Sequence, residues 1–222
     1  MKLNKNKYGP NLELLTELEK ETLKNLTYLL NSLDLGSSVL VNYYALRLQG
    51  YDVEPWDKNS EIDVVVDRDN LPWKTKGEKI REVIPPRDSG YFKQWQEFIL
   101  KYQSNFPLHF IPEPHDKVIK LDYSEHKFSS WQILRICKPI TNVLGFKEAL
   151  DAYCKKVDEY KQRIFDEKEI ERWERKIRNV KSAAERKEDR DLINACKECN
   201  DQLRVLYRKI KKQQLYKHCL FL

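Results

Sequence analysis

All six glycines and all nine prolines of this 222-residue chain fall at or before Gly145. Residues 146–222 contain neither helix breaker, so helix can propagate through them. Three apolar stripes agree with this. Phe146, Leu150, Tyr153, Val157, Tyr160 and Ile164 are spaced by fours and threes, as are Ile170, Trp173, Ile177, Val180 and Ala184, and again Leu192, Cys196, Cys199, Leu203, Leu206 and Ile210. Each stripe is one face of a helix with a period near 3.6. Asp166 followed by Glu169 can cap the second helix, and the acidic cluster from Glu185 to Asp191 can turn the chain into the third. The expectation is a helical bundle or long hairpin.

Residues 1–143 carry every proline and a different rhythm. Leu12, Leu15, Leu18, Leu23, Leu26 and Leu30 mark a helical stripe. Ser38–Val41 reads as extended, Tyr43–Gln49 as a helix ending on Gly50, and Tyr91–Tyr102 as a further helix. The β-branched run from Glu61 to Asp67 predicts a buried strand, with shorter strands at Pro107–Pro112 and Lys117–Leu121. The chain therefore reads as α+β: a small mixed-sheet domain over 1–143, then an all-α domain over 144–222.

Charge separates these segments. Residues 1–143 hold 20 basic and 20 acidic side chains, whereas 144–222 hold 21 and 15, so the whole excess of +6 lies in the helical third. No acid follows Asp201, while Arg204, Arg208, Lys209, Lys211, Lys212 and Lys217 do. Such a strip suits a polyanion, with Arg204, Arg208, Lys211 and Lys212 as the candidate RNA contacts. A solvated helix end, whose cations complement the helix dipole, would look the same.

With 41% hydrophobic and 34% charged residues, the composition excludes a disordered tail. No run of about 18 uncharged residues offers a membrane span, and Glu13, Glu17 and Glu19 interrupt any apolar signal segment. A cytoplasmic protein without membrane association is expected. Five cysteines with no secretion signal suggest free thiols. Cys196 and Cys199, with His218 and Cys219, have zinc-ligand chemistry, but the first two lie on an apolar stripe and read as small core residues. P-loop and G-x-S-x-G motifs are both missing.

The most informative motif is Glu61-Ile62-Asp63 at the mouth of the apolar strand. Carboxylates at i and i+2 point to one face of a strand, so both can reach one Mg²⁺ while Ile62 and Val64 pack behind them. Together with Val39-Leu40-Val41-Asn42-Tyr43-Tyr44-Ala45-Leu46 and Gly50, this run resembles the small nucleotidyltransferase fold of the AbiEii type. In that family a strand ends in a glycine pair, a helix begins Tyr-Ala-Leu, and the next strand bears Asp-Ile-Asp.

The resemblance, which covers roughly residues 35–70, implies a domain that transfers a nucleotide from an NTP to an RNA such as tRNA or to a protein hydroxyl, in a toxin or defence setting. It implies Glu61 and Asp63 as Mg²⁺ ligands and Asn42, Tyr43 and Ser60 beside the nucleotide. Through a further likeness over Leu134–Leu150, it implies Lys147 on the phosphates. The chain departs from the pattern in two places. Asn42 and Tyr43 replace the glycine pair, and His109 stands where a third carboxylate is expected, with Asp122 the nearest acidic substitute. These departures imply an alternative, a catalytically inactive fold acting as a binding module for nucleic acid or protein.

Overall fold

The computed structural model describes residues 12–55, 61–73, 84–159 and 167–219. They form two compact units, Met1–Lys138 and Pro139–Leu222.

The first unit opens with α1 (Glu17–Ser32), which starts where a capping box allows it. The Thr16 hydroxyl accepts from the Glu19 amide at 3.2 Å, and the Glu19 carboxylate accepts from the Thr16 amide at 2.7 Å. Leu12 and Leu15 thus precede the helix, and Leu18 faces solvent, while Leu23, Leu26 and Leu30 are buried as expected. Next come β1 (Val39–Val41), α2 (Asn42–Leu48), β2 (Ile62–Asp67), α3 (Phe92–Tyr102) and β3 (Leu108–Glu113). Gly50, just past α2, has φ +80°, the left-handed conformation expected of a residue closing a helix.

Lys117–Leu121 is not a strand. The chain there forms the short helix α4 (His115–Val118), with Pro114 at its start. Val118 and Leu121, three residues apart, both meet one apolar cluster, so a helical rather than an alternating period serves them. Two strands that the sequence did not announce complete the sheet, β4 (Tyr123–Lys127) and β5 (Ile133–Cys137).

The sheet order is β3-β2-β1-β5-β4. β2 runs antiparallel to β1 and parallel to β3, β1 is parallel to β5, and β4 is antiparallel to β5. Every residue of β2 is buried, which its hydrophobic run predicts. Ile62, Val64 and Val66 share one face with Leu40, Leu134 and Ile136. The opposite face carries Val39, Val41, Val65 and Cys137, capped by Val118, and Asp63 and Asp67 bracket Val65 on it. Burying each such Val or Ile is worth about 1.5–3 kcal/mol, so β2 anchors the face that presents the two acids.

The second unit consists of α5 (Pro139–Glu159), α6 (Glu167–Arg186) and α7 (Arg190–Cys219), with α5 and α6 both packed on α7. The architecture is α+β, a mixed five-stranded sheet followed by helices, as the breaker distribution implied. Pro139 stands at the first helical position, where its missing N–H costs nothing. Asp189 caps α7, its side chain accepting from the Leu192 amide at 3.0 Å. Phe146, Leu150, Ile177, Val180, Leu192, Cys196, Cys199, Leu203 and Leu206 are all buried, so the described parts of the three stripes face the interior, while Tyr160, Ile164 and the side chain of Val157 lie outside the described residues. The proposed cap Asp166 lies outside the described residues.

Candidate functional site

β1 ends at Val41, which pairs with Asp63, and Asp63 in turn pairs with His109 on β3. Asn42 follows with φ +61°, in the left-handed region that glycine adopts freely and asparagine tolerates better than most residues. The chain thus makes with asparagine a turn that glycine would make freely. Its side chain then adds something glycine cannot. The Asn42 Nδ2 donates to Asp63 Oδ2 at 2.7 Å, while His109 Nδ1 lies 3.1 Å from Asp63 Oδ1. The Asp63 side chain is only 8% exposed and that of His109 64%, so a buried carboxylate carries an imidazole at the surface. A carboxylate can only accept, which assigns the proton of this pair to Nδ1 and directs Nε2 away from Asp63.

The same face of β2 carries a second pair, which the sequence reading missed. Asp67 Oδ1 accepts from the Asp69 and Asn70 amides at 3.0 and 3.2 Å, capping a 3-10 turn at Arg68–Asn70. Its Oδ2 accepts from Asn70 Nδ2 at 2.7 Å and from His115 Nδ1 at 2.6 Å. Burial by itself would raise the Asp67 pKa, but the hydrogen bonds from Asn70, His115 and the Asp69 amide outweigh it and leave the carboxyl below its ordinary value. The His115 amide also donates to Asp69 Oδ2 at 2.9 Å. The available signal was parity: residues 63 and 67 of one strand must share a face. His115 falls between the two strands expected at Pro107–Pro112 and Lys117–Leu121, and the fold brings it to Asp67 as the first residue of α4.

The other candidates are distributed differently. Glu61 is half-buried immediately ahead of β2. Tyr43 is buried in α2, with its ring against Tyr44 and its hydroxyl accepting from Arg47. Ser60 lies outside the described residues. Asp122 pairs with Lys138 at 2.8 Å. It adjoins the row Asp63, Val41, Cys137, Tyr123, so about three strand spacings, roughly 14 Å, separate it from Asp63. His109, not Asp122, is therefore the neighbour of Asp63.

Lys147 belongs to the second unit. Its ammonium pairs with Glu198 at 2.8 Å, and that hydrogen bond raises its pKa. Arg204, Arg208, Lys211 and Lys212 are exposed on α7, with Arg204 pairing Asp201 at 3.0 Å. Cys196 and Cys199 are buried, and burial pushes their thiols up to about 12 and about 11, while Cys199 Sγ donates to the Val143 carbonyl. They are core thiols rather than thiolate ligands. The side chains of His218 and Cys219 lie outside the described residues.

The Asp63 carboxylate is engaged by side chains on both of its oxygens. Mg²⁺ takes an octahedron of hard oxygens, whereas the side chain nearest Asp63 on β3 is the imidazole of His109. Among the described residues no group of three His, Cys, Asp or Glu side chains is arranged around a metal site. No described helix is long and apolar enough to cross a membrane. No protein-family model, curated protein or solved structure matches this chain.

Proposed function

We propose that the first unit is a nucleotidyltransferase-type domain in which the metal-binding carboxylate centre has become a hydrogen-bonded Asn42–Asp63–His109 cluster. The chain then serves as a nucleic-acid-binding module, with RNA held by basic α7 of the second unit. One observation carries this reading: each Asp63 oxygen is taken by a side chain from one of the two positions that depart from the family pattern. The order of elements supports it too, with β1, a left-handed turn, α2, acid-bearing β2 and then β3 following one another as the resemblance requires.

The second reading is Mg²⁺-dependent nucleotide transfer. It is favoured by the position of Glu61, two residues before Asp63 at the mouth of β2. Calorimetry of the full chain with each NTP, with and without Mg²⁺, together with transfer of label from α-labelled NTP to RNA, separates the two. The expected result is no Mg²⁺-dependent heat and no transfer in the native chain. The double variant Asn42→Gly/His109→Asp, which frees Asp63 and restores a second acid, should gain Mg²⁺ binding. Transfer by the native chain that is lost in Asp63→Ala would establish the enzymatic reading instead.

A further inference from the structure

A groove of about 340 Å³ runs between α6 and α7 in the second unit. From α6 it is lined by Glu174, Arg178 and Lys181, spaced by four and three so that they form one continuous edge. From α7 it is lined by Asn200, Arg204 and Tyr207, spaced in the same way, over the buried floor residue Leu203. Three cations thus meet one carboxylate around a cleft that also offers an amide and a phenol ring.

The cations are available to a ligand. Arg178 is exposed on the α6 wall of the cleft. Lys181 and Arg204 pair with Glu185 at 3.1 Å and Asp201 at 3.0 Å, in surface contacts within one helix. Such exposed pairs are worth under about 1 kcal/mol, so a phosphate can displace or share them. A guanidinium from each wall matches the geometry of phosphate oxygens. The volume lies at the low end of small-ligand sites, which begin near roughly 300 Å³. It is room for a group the size of one nucleotide.

We infer that this groove binds one nucleotide unit of single-stranded RNA, with Arg178, Lys181 and Arg204 on the flanking phosphates and Tyr207 stacked on the base. The inference rests on the RNA-holding part of the proposed function and relocates it. The contact lies in the α6–α7 groove, and Arg208, Lys211 and Lys212 on the exposed strip of α7 contribute only long-range attraction. An aromatic ring beside backbone-tracking cations is the arrangement by which unpaired strands are held without sequence preference.

The test is fluorescence anisotropy of the full chain with a labelled 12-nucleotide oligouridylate, titrated at several salt concentrations. The triple variant Arg178→Gln/Lys181→Gln/Arg204→Gln should bind at least tenfold more weakly. Its log–log salt slope should flatten by about 2, at roughly 0.7 per phosphate on a single strand. Tyr207→Leu should lose about tenfold, a stacking contribution that Tyr207→Phe retains. The strip variant Arg208→Gln/Lys211→Gln/Lys212→Gln should lose threefold or less, and an RNA duplex of equal length should bind more weakly than the single strand.

Unchanged affinity and slope in the groove triple, with native circular dichroism, would overturn the assignment. So would loss confined to the strip variant, or equal binding of the duplex. A native chain that binds no oligonucleotide would overturn both the groove and the RNA-holding reading. The Asp63 experiments, which use free nucleotides and Mg²⁺, stand independently of these outcomes.

Discussion

Asp63 and Asp67 occupy one face of β2, and each buried carboxylate is held by a histidine from a neighbouring segment. Asp67 also caps the turn that follows it, and although burial would raise its pKa, the hydrogen bonds from the Asn70 side chain, then His115 and the Asp69 amide, lower it. The resulting depression of its pKa has a definite sign in stability. An acid whose folded pKa lies below its unfolded value stabilises the fold above the unfolded carboxylate range, near about pH 3.9, and loses that contribution as pH falls through the folded pKa. Urea unfolding from pH 6 to pH 2 should therefore show a falling midpoint whose acid limb is shallower in Asp67→Asn. An identical limb in that variant would show that Asp67 is not linked to folding.

At the level of elements, the most exposed discrepancy between residue type and conformation is Gly145. It lies inside α5, whose helix begins earlier, at Pro139. A Cβ added there meets no atom within 4 Å, so neither packing nor a turn calls for glycine. Gly145→Ala should stabilise the second unit by about 1 kcal/mol, through lower unfolded-chain entropy and higher helix propensity. Thermal or urea unfolding followed at 222 nm reads this directly, and an unchanged or lowered midpoint would point to a role for the glycine beyond the helix. The same level explains the error at Lys117–Leu121. A short apolar run offers too few residues to distinguish a period of two from one of three or four, and Pro114 decides the matter by opening a helical turn.

On the scale of the whole molecule, thiols report the two units separately. Cys137 is buried in the first unit, and burial raises its pKa to about 12. Cys154, Cys196 and Cys199 are buried in the second. All four should resist iodoacetamide at pH 8 under native conditions, because only the exposed thiolate reacts. Pulsed alkylation along a urea gradient, read by mass spectrometry, should then give one curve for Cys137 and a common curve for Cys196 and Cys199. Rapid native labelling of any of the four would contradict the packing of its unit.

Much of this was legible in the residue order. The three helices of the second unit, the buried character of β2 and the helix that follows β1 all follow from local information: breakers, periodicity and a β-branched apolar run. These depend on residues within about one turn or one strand of each other, so the chain states them directly. Strands β4 and β5, the helical form of α4, the Asp67–His115 pair and the groove between α6 and α7 needed the tertiary structure. Each depends on contacts between segments far apart in sequence. Register places His109 beside Asp63 across 46 positions, and packing brings Arg178 and Arg204 to one cleft from two different helices. Local pattern names the residues able to do chemistry, but only the folded chain decides which of them meet.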